Sequence, residues 1–461
     1  MRKIGNSRIV YALLLSTALG LNGFAQKAQP VTQLEQNLRR HVEYLASDKL
    51  EGRRAGEPGA NAAGEYVAAE FRKIGLRPGF SGNGKPSYKQ SFSYSPVRDP
   101  HSMPADPTST STAPNAKSTF NVIGILPGHD PVLKNEAIVI GAHYDHLGHG
   151  GSGSLAANST EIHHGADDNA SGTAAVIELA RQFAKEKKNK RTIIFVAFSG
   201  EEDGLFGSKY YVNKPVWPLD KTIAMINLDM VGRLKDDKLN VGGIGTAEEW
   251  RKVATGFNTT LLDDIGIGMH DKATKDGHPA GGGPVFTLQL NEDGFGPSDH
   301  SSFYGKQIPV LFFFTGTHLD YHKPSDTAEK INLGGLRRIV VFVHDILTNV
   351  DETAKRPTYK AAPASQQTTR MGFSVSLGTI PNYADSTDGM VLDGVRDDSP
   401  ASRAGLKKDD KVIKLAGKDI KNVYDYTAAL GAMKAGVEYD VVIKRGNEML
   451  SLKIVPAPAA R

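Results

Sequence analysis

IVIGAHYDHLGHG, residues Ile138–Gly150, starts as an apolar run and ends in three histidines and an aspartate. The run reads as a buried strand that stops abruptly at His143, with Asp145 two residues on. A single His-x-Asp is weak evidence, because a polar loop after a strand looks the same. Its meaning depends on whether other strands end alike, and several do. IIFVAFSGEE (193–202) ends in Glu201 and Glu202, and AMINLDM (224–230) ends in Asp229 beside its last methionine. PVLFFFTG (309–316) is followed by HLDYHKPSDT (318–327), which contains Tyr321 and His322. GADDNASG (165–172) stands just before a helical stretch, in the same strand-to-helix position.

Around these runs, short apolar segments alternate with helical ones. FNVIGIL, EAIVIG, RTIIFVAFS, TIAMINLD, PVFTLQL and PVLFFFTG read as strands. Helices are expected over 31–47, 60–74, 170–187 and 333–350, with a further one starting near Thr246. This pattern predicts an α/β fold, a doubly wound and mostly parallel sheet with helices on both faces. In such sheets, ligands bind beyond the carboxyl ends of the strands, so these polar ends are expected to converge.

The chain has 461 residues, enough for two or three domains, and a formal charge of +4. Arg2, Lys3 and Arg8 account for three of those charges, so the rest is nearly neutral. This balance argues against nucleic acid and against a membrane surface as partners. Residues 1–25 read as a signal peptide: a basic start, the apolar centre IVYALLLSTALGL, and Gly23 and Ala25 before a cleavage point at Gln26. The apolar centre is too short to span a bilayer, so no membrane span is expected in the mature chain. A periplasmic or secreted protein is expected. Cysteine is absent, which excludes disulfides and a lipid-bearing cysteine.

A first, large domain is expected over 26–350. Residues 93–118, rich in Pro, Ser and Thr, read as an exposed loop long enough to serve as a lid. Residues 351–370 are polar, with two prolines, and read as a linker. Residues 371–458 read as a small β-rich module with one helix near 422–433.

Histidines and carboxylates together suit zinc. If Asp168, Glu202 and Asp229 are ligands, one zinc leaves the pocket anionic, while two bring it close to neutral around a shared hydroxide. Adjacent Glu201 and Glu202 suggest divided labour, one on metal and one as general base for hydrolysis. Asp145 is placed to accept the free N–H of His143.

GAHYDH, GADDNASG, FSGEEDGLFGS, NLDM and DYHKPSDT, in that order, resemble the co-catalytic di-zinc aminopeptidases. That family also holds glutamate carboxypeptidases, glutaminyl cyclases and the transferrin receptor. The resemblance spans roughly 31–350. It implies two zinc ions: His143 and Asp229 on one, Glu202 and His322 on the other, and Asp168 bridging both. It implies Glu201 as general base and Tyr321 as a hydroxyl that steadies the oxyanion. The implied activity is an exopeptidase, foremost an aminopeptidase acting on peptides. Glutaminyl cyclase, carboxypeptidase and non-catalytic scaffold remain as alternatives. His146, His149, His163 and His164 are expected to be mostly solvated loop residues. Asp299 and His300 are left between a site role and a structural one. Glu51, Gly52 and Arg53 receive no chemistry.

SPASRAGLKKDDKVIKLAGKDI (399–420) resembles a PDZ domain of the bacterial type. The usual Gly-Asp is replaced by Asp409-Asp410. The glycine there often takes a left-handed conformation, which Asp tolerates better than most residues. A peptide or a protein C-terminus is the implied partner, added as an extra strand. The peptide-binding loop is expected at Met371–Phe373 or at LGTI (377–380). Packing of the module against the peptidase is the alternative.

Overall fold

The computed structural model describes residues 32–82, 84–95, 116–151, 153–156, 159–258, 285–362, 375–381, 388–395, 398–421 and 423–458. The expected signal peptide, most of the proposed lid and the MGF loop lie outside them.

Two helices open the described chain, α1 (Gln33–Leu45) and α2 (Pro58–Ile74). A reciprocal Thr32–Glu35 capping box starts α1, satisfying two otherwise unpaired N–H groups. Gly75, at φ 89°, ends α2 in a conformation glycine adopts without a steric penalty.

The sheet strands are β1 (Lys89–Tyr94), β2 (Lys117–Leu126), β3 (Ala137–His143), β4 (Thr192–Phe198), β5 (Thr222–Leu228), β6 (Lys238–Gly242), β7 (Thr287–Leu290) and β8 (Val310–Phe314). Their spatial order is β2-β4-β3-β5-β8-β6-β7, with β1 also paired to β2. The central four, β4-β3-β5-β8, are mutually parallel. The flanks are joined antiparallel, β2 to β4 and β6 to β8.

Alternate residues of the central strands feed two cores, which is why these runs are apolar throughout. Ile138, Ile140, Phe195, Ile226 and Phe313 pack with α1, α2, α3 (Gly172–Glu186) and α7 (Leu333–Glu352). Val139, Val196, Phe198, Met225 and Val310 pack on the other face with α4 (Phe206–Asn213) and α6 (His300–Tyr304). Helices on both faces of a largely parallel sheet are the doubly wound α/β arrangement.

The helix expected near Thr246 starts later: α5 spans Trp250–Gly256. The Thr246 hydroxyl bonds back to the carbonyls of Gly243 and Val310, which keeps 244–246 in a separate tight turn. Residues 353–362 are hydrogen-bonded to the first domain: Thr358 N–H donates to Glu249, Lys360 N–H to the Thr246 carbonyl, and Ala362 N–H to the Tyr304 hydroxyl.

The C-terminal module pairs Thr379–Pro381, Met390–Val395, Lys411–Leu415, Tyr439–Arg445 and Glu448–Ile454 in one antiparallel sheet, with a helix at Val423–Gly431. Its own core includes Leu392, Val412, Leu415, Ala429, Val441 and Ile443. Asp409 has φ 68°, the left-handed conformation expected where the pattern usually has glycine.

Candidate active site

Because β4, β3, β5 and β8 are parallel neighbours, their carboxyl ends lie along one edge. His143 is the last residue of β3, Glu201 and Glu202 follow β4, Asp229 follows β5, and Tyr321 and His322 lie in the segment after β8. Asp168 belongs to the wide turn Ala166–Ser171 at the head of α3, and its peptide bond to Asn169 is cis.

All five expected ligands meet at this edge. His143 Nε2 is 3.2 Å from Asp229 Oδ1 and 3.4 Å from Asp168 Oδ1. His322 Nε2 is 3.1 Å from Asp168 Oδ2 and 3.3 Å from Glu202 Oε2. The two oxygens of Asp168 therefore face different imidazoles. Glu201 Oε2 stands 4.0 Å from His143 Nε2.

The surrounding bonds orient these groups. His143 Nδ1–H donates to the Asp145 carbonyl at 3.2 Å, while the Asp145 carboxylate is farther, at 3.8 Å. The expected partner is thus the main chain of Asp145, and its carboxylate instead accepts the Glu201 N–H at 3.3 Å. His322 Nδ1–H donates to the Gly153 carbonyl at 2.8 Å, and His322 itself is left-handed at φ 53°. Such backbone cost is common where surrounding structure fixes a functional side chain. The Tyr321 ring stacks on that of His322, with centroids 3.8 Å apart, and packs with Met230, Phe312 and Phe314.

Several contributors were not legible in the sequence. Asp326 Oδ2 accepts the N–H groups of both Asp167 and Asp168, at 2.9 and 3.2 Å. Asp167 accepts from the Gly232 N–H at 2.6 Å, and His318 Nε2 lies 3.1 Å from its other oxygen. Arg53 is fully buried and donates to the carbonyls of Tyr144, His164 and Gly165, tying the His143 and Asp168 loops together. His146 and His163, expected to be solvated, are both buried. Their loop is covered by the 51–53 turn, through bonds such as Gly148 N–H to the Gly52 carbonyl. Asp299 and His300 are also buried, and the His300 ring stacks on Phe312.

These residues suit cations. Burial, reinforced by the charges of Glu202, Asp229 and Asp299, holds the Glu201 carboxyl well above the usual range. Burial pushes Asp229 up as well, and Asp145 up to about 8. Burial also pushes Asp168 up, but its bonds to His143 and His322 outweigh that and leave it well below the usual value. The buried guanidinium of Arg53 spends its hydrogens on carbonyls. Acids crowded this way need added positive charge, and imidazole with carboxylate is a zinc donor set. Among the described residues, two groups of side chains are spaced to hold an ion: His143, Asp168 and Glu202, and His143, Glu201 and Asp229.

Residues 121–347 match peptidase family M28, and residues 370–455 match the PDZ domain. Leupeptin-inactivating enzyme 1 of Streptomyces exfoliatus is 28% identical over 310 residues, covering 66% of this chain and 60% of that protein. Aminopeptidase YwaD of Bacillus subtilis (strain 168) is 27% identical over 251 residues, 52% of this chain and 47% of that protein. A probable zinc metalloprotease of Pyrenophora teres f. teres is 44% identical over 124 residues, 25% of this chain and 23% of that protein. The chain thus spans 60% or less of the length of these relatives.

Proposed function

We propose that this chain, which carries a domain of peptidase family M28 followed by a PDZ domain, is a zinc-dependent aminopeptidase that holds two zinc ions. The observation that carries the reading is Asp168. One of its oxygens faces His143, which also meets Asp229, and the other faces His322, which also meets Glu202. The first trio would hold one ion and the second trio the other, with Asp168 shared. Zinc, when bound, polarises a carbonyl and makes water a stronger nucleophile at neutral pH.

The chain's own groups supply the rest. Glu201 is the acid least engaged with the imidazoles and stands beside His143. It takes a proton from the attacking water and returns it to the leaving amine. The Tyr321 hydroxyl, on a ring fixed by stacking against His322, steadies the oxyanion.

The test is hydrolysis of amino-acyl anilides by the purified chain, with metal analysis. Release of amino acid, its loss on chelation and recovery with zinc, and two zinc ions per chain are expected. A single zinc with cyclisation of an N-terminal Gln peptide would instead favour the glutaminyl cyclase alternative.

The basic, apolar and small-residue order of 1–25 supports an exported protein, with a mature chain starting at Gln26; N-terminal sequencing from the native source checks it. Among the described residues no helix is long and apolar enough to cross a membrane. We assign 26–350 to the peptidase and 371–458 to a peptide-binding PDZ module, whose ligand a peptide array would identify.

A further inference from the structure

His146 lies three residues beyond the strand-end histidine, and its side chain is buried against the acidic cluster. It is 1% exposed. Its Nδ1 is 2.8 Å from Glu202 Oε1 and 3.8 Å from Asp168 Oδ2. Its other ring nitrogen, Nε2, is buried and meets no hydrogen-bond partner. The ring is fixed from several sides. Its main-chain N–H donates to the Arg53 carbonyl at 3.1 Å. The His322 ring meets it edge-on at 5.8 Å. Gly165 approaches so closely that an added Cβ would lie 2.5 Å from the imidazole carbons.

An ionised carboxylate only accepts, so the proton of His146 belongs on Nδ1 and points at Glu202 Oε1. That leaves Glu202 Oε2 as the oxygen turned toward His322 Nε2, 3.3 Å away, and into the same donor set as Asp168 Oδ2. Among the described residues no imidazole reaches the Glu201 carboxylate at hydrogen-bond distance, His143 Nε2 standing 4.0 Å away; its N–H is the group that is held, by Asp145. The two adjacent acids therefore differ in one respect that sequence does not show. His146 holds one of them at 2.8 Å, while the other stands 4.0 Å from His143.

We propose that His146 is a positioning residue of the metal centre: its Nδ1–H holds Oε1 of Glu202, so that Glu202 binds metal through Oε2 while Glu201 is kept for proton transfer. The proposal rests on the metallopeptidase reading. Hydrogen-bond partners of metal ligands act by fixing the ligand's orientation, and their loss typically costs about 10- to 100-fold in metal affinity or activity.

The experiment uses the full chain stripped of metal and titrated with zinc against a chromogenic chelator. Wild type, His146→Ala and His146→Asn are compared, and the melting temperature of each metal-free protein is recorded. Asn carries an amide N–H close to the position of Nδ1. His146→Ala is expected to weaken one zinc site by about 10- to 100-fold. His146→Asn is expected to recover most of that loss, with both metal-free variants melting alike. Zinc binding by His146→Ala equal to wild type would overturn the assignment, as would Asn behaving no better than Ala. Should His146→Ala not fold, His146→Asn against His146→Gln carries the test, because Gln places its amide nearer the Nε2 position. Asn retaining zinc while Gln loses it supports the proposal, and equal affinities refute it. A wild-type chain that takes up no zinc would bring down the metallopeptidase reading itself, a result distinct from any difference among the variants.

Discussion

At the scale of single residues, adjacent Glu201 and Glu202 carry opposite expectations. Replacing Glu201 with Ala removes the proposed proton carrier and leaves His143, Asp168, Glu202, Asp229 and His322 in place. Turnover should fall by about 10²- to 10⁴-fold with zinc content near that of wild type. Substantial remaining activity in a steady-state assay would remove Glu201 from its role. His163 gives a pH prediction. Its Nδ1–H donates to the Glu161 carbonyl and its Nε2 accepts from the Ser154 hydroxyl, so the neutral ring is fully matched. Burial lowers its pKa to about 4. The native ring thus binds its proton less readily than the unfolded one. Stability from this residue is complete above about pH 6.5 and is lost as pH falls through 4. His163→Asn should flatten that part of the melting-temperature profile between pH 6.5 and 4, relative to wild type. Asp409, left-handed at φ 68°, offers a stabilising change. Asp409→Gly should raise stability by about 0.5–1 kcal/mol in thermal melts, the backbone relief exceeding the entropy that glycine adds to the unfolded chain. His143, Glu202 and Asp229 were legible because an apolar run halts at or just before each of them. His146 was not, since a histidine in a glycine-rich loop gives no sign of which neighbour will cover it.

At the scale of elements, the turn 165–171 decides whether the site forms. Gly165 stands at φ 55°, and an added Cβ would lie 2.1 Å from the Asp168 carbonyl oxygen. Gly165→Ala therefore forces this turn open, moving Asp168 away from His143 and His322. Loss of zinc is expected, with a fall in stability of about 1–3 kcal/mol from the strained backbone. Metal analysis beside a thermal melt checks both; normal zinc content would show that the turn tolerates the methyl group. The sheet itself was readable, since β3, β4, β5 and β8 are apolar over most of their length, as strands buried on both faces are. Direction was harder to read. LNVGG runs antiparallel to β8 because its register is set by contacts with Phe312–Phe314, and nothing local to the segment encodes that. The start of α5 was misplaced for a related reason. Thr246 spends its hydroxyl on a carbonyl of β8, a partner 64 residues away in the chain.

At the scale of the molecule, the polar stretch after α7 does more than its composition shows. Two prolines and many charges made 351–370 read as a linker, but side-chain polarity says nothing about where the main chain bonds. Arg191, fully buried at the start of β4, donates to the carbonyls of Val350, Asp351, Thr353 and Ala354. Farther along, Thr358 donates both its N–H and its hydroxyl to Glu249, each at 2.8 Å. Lys360 and Ala362 add main-chain bonds to Thr246 and Tyr304. A chain ending at residue 352 would lose every one of these bonds beyond Asp351 and leave part of a buried guanidinium without acceptors. Each such bond contributes about 0.5–1.5 kcal/mol net, and a buried N–H left without its acceptor costs about 1–3 kcal/mol. A chain ending at residue 362 keeps them all. The shorter chain should melt at least about 5 °C below the longer one, given roughly 2–4 °C per kcal/mol for domains of this size or slightly smaller. Equal melting temperatures would mean that the segment lies on the first domain without holding it. A lower melting temperature for the shorter chain would place the end of the first domain beyond residue 352.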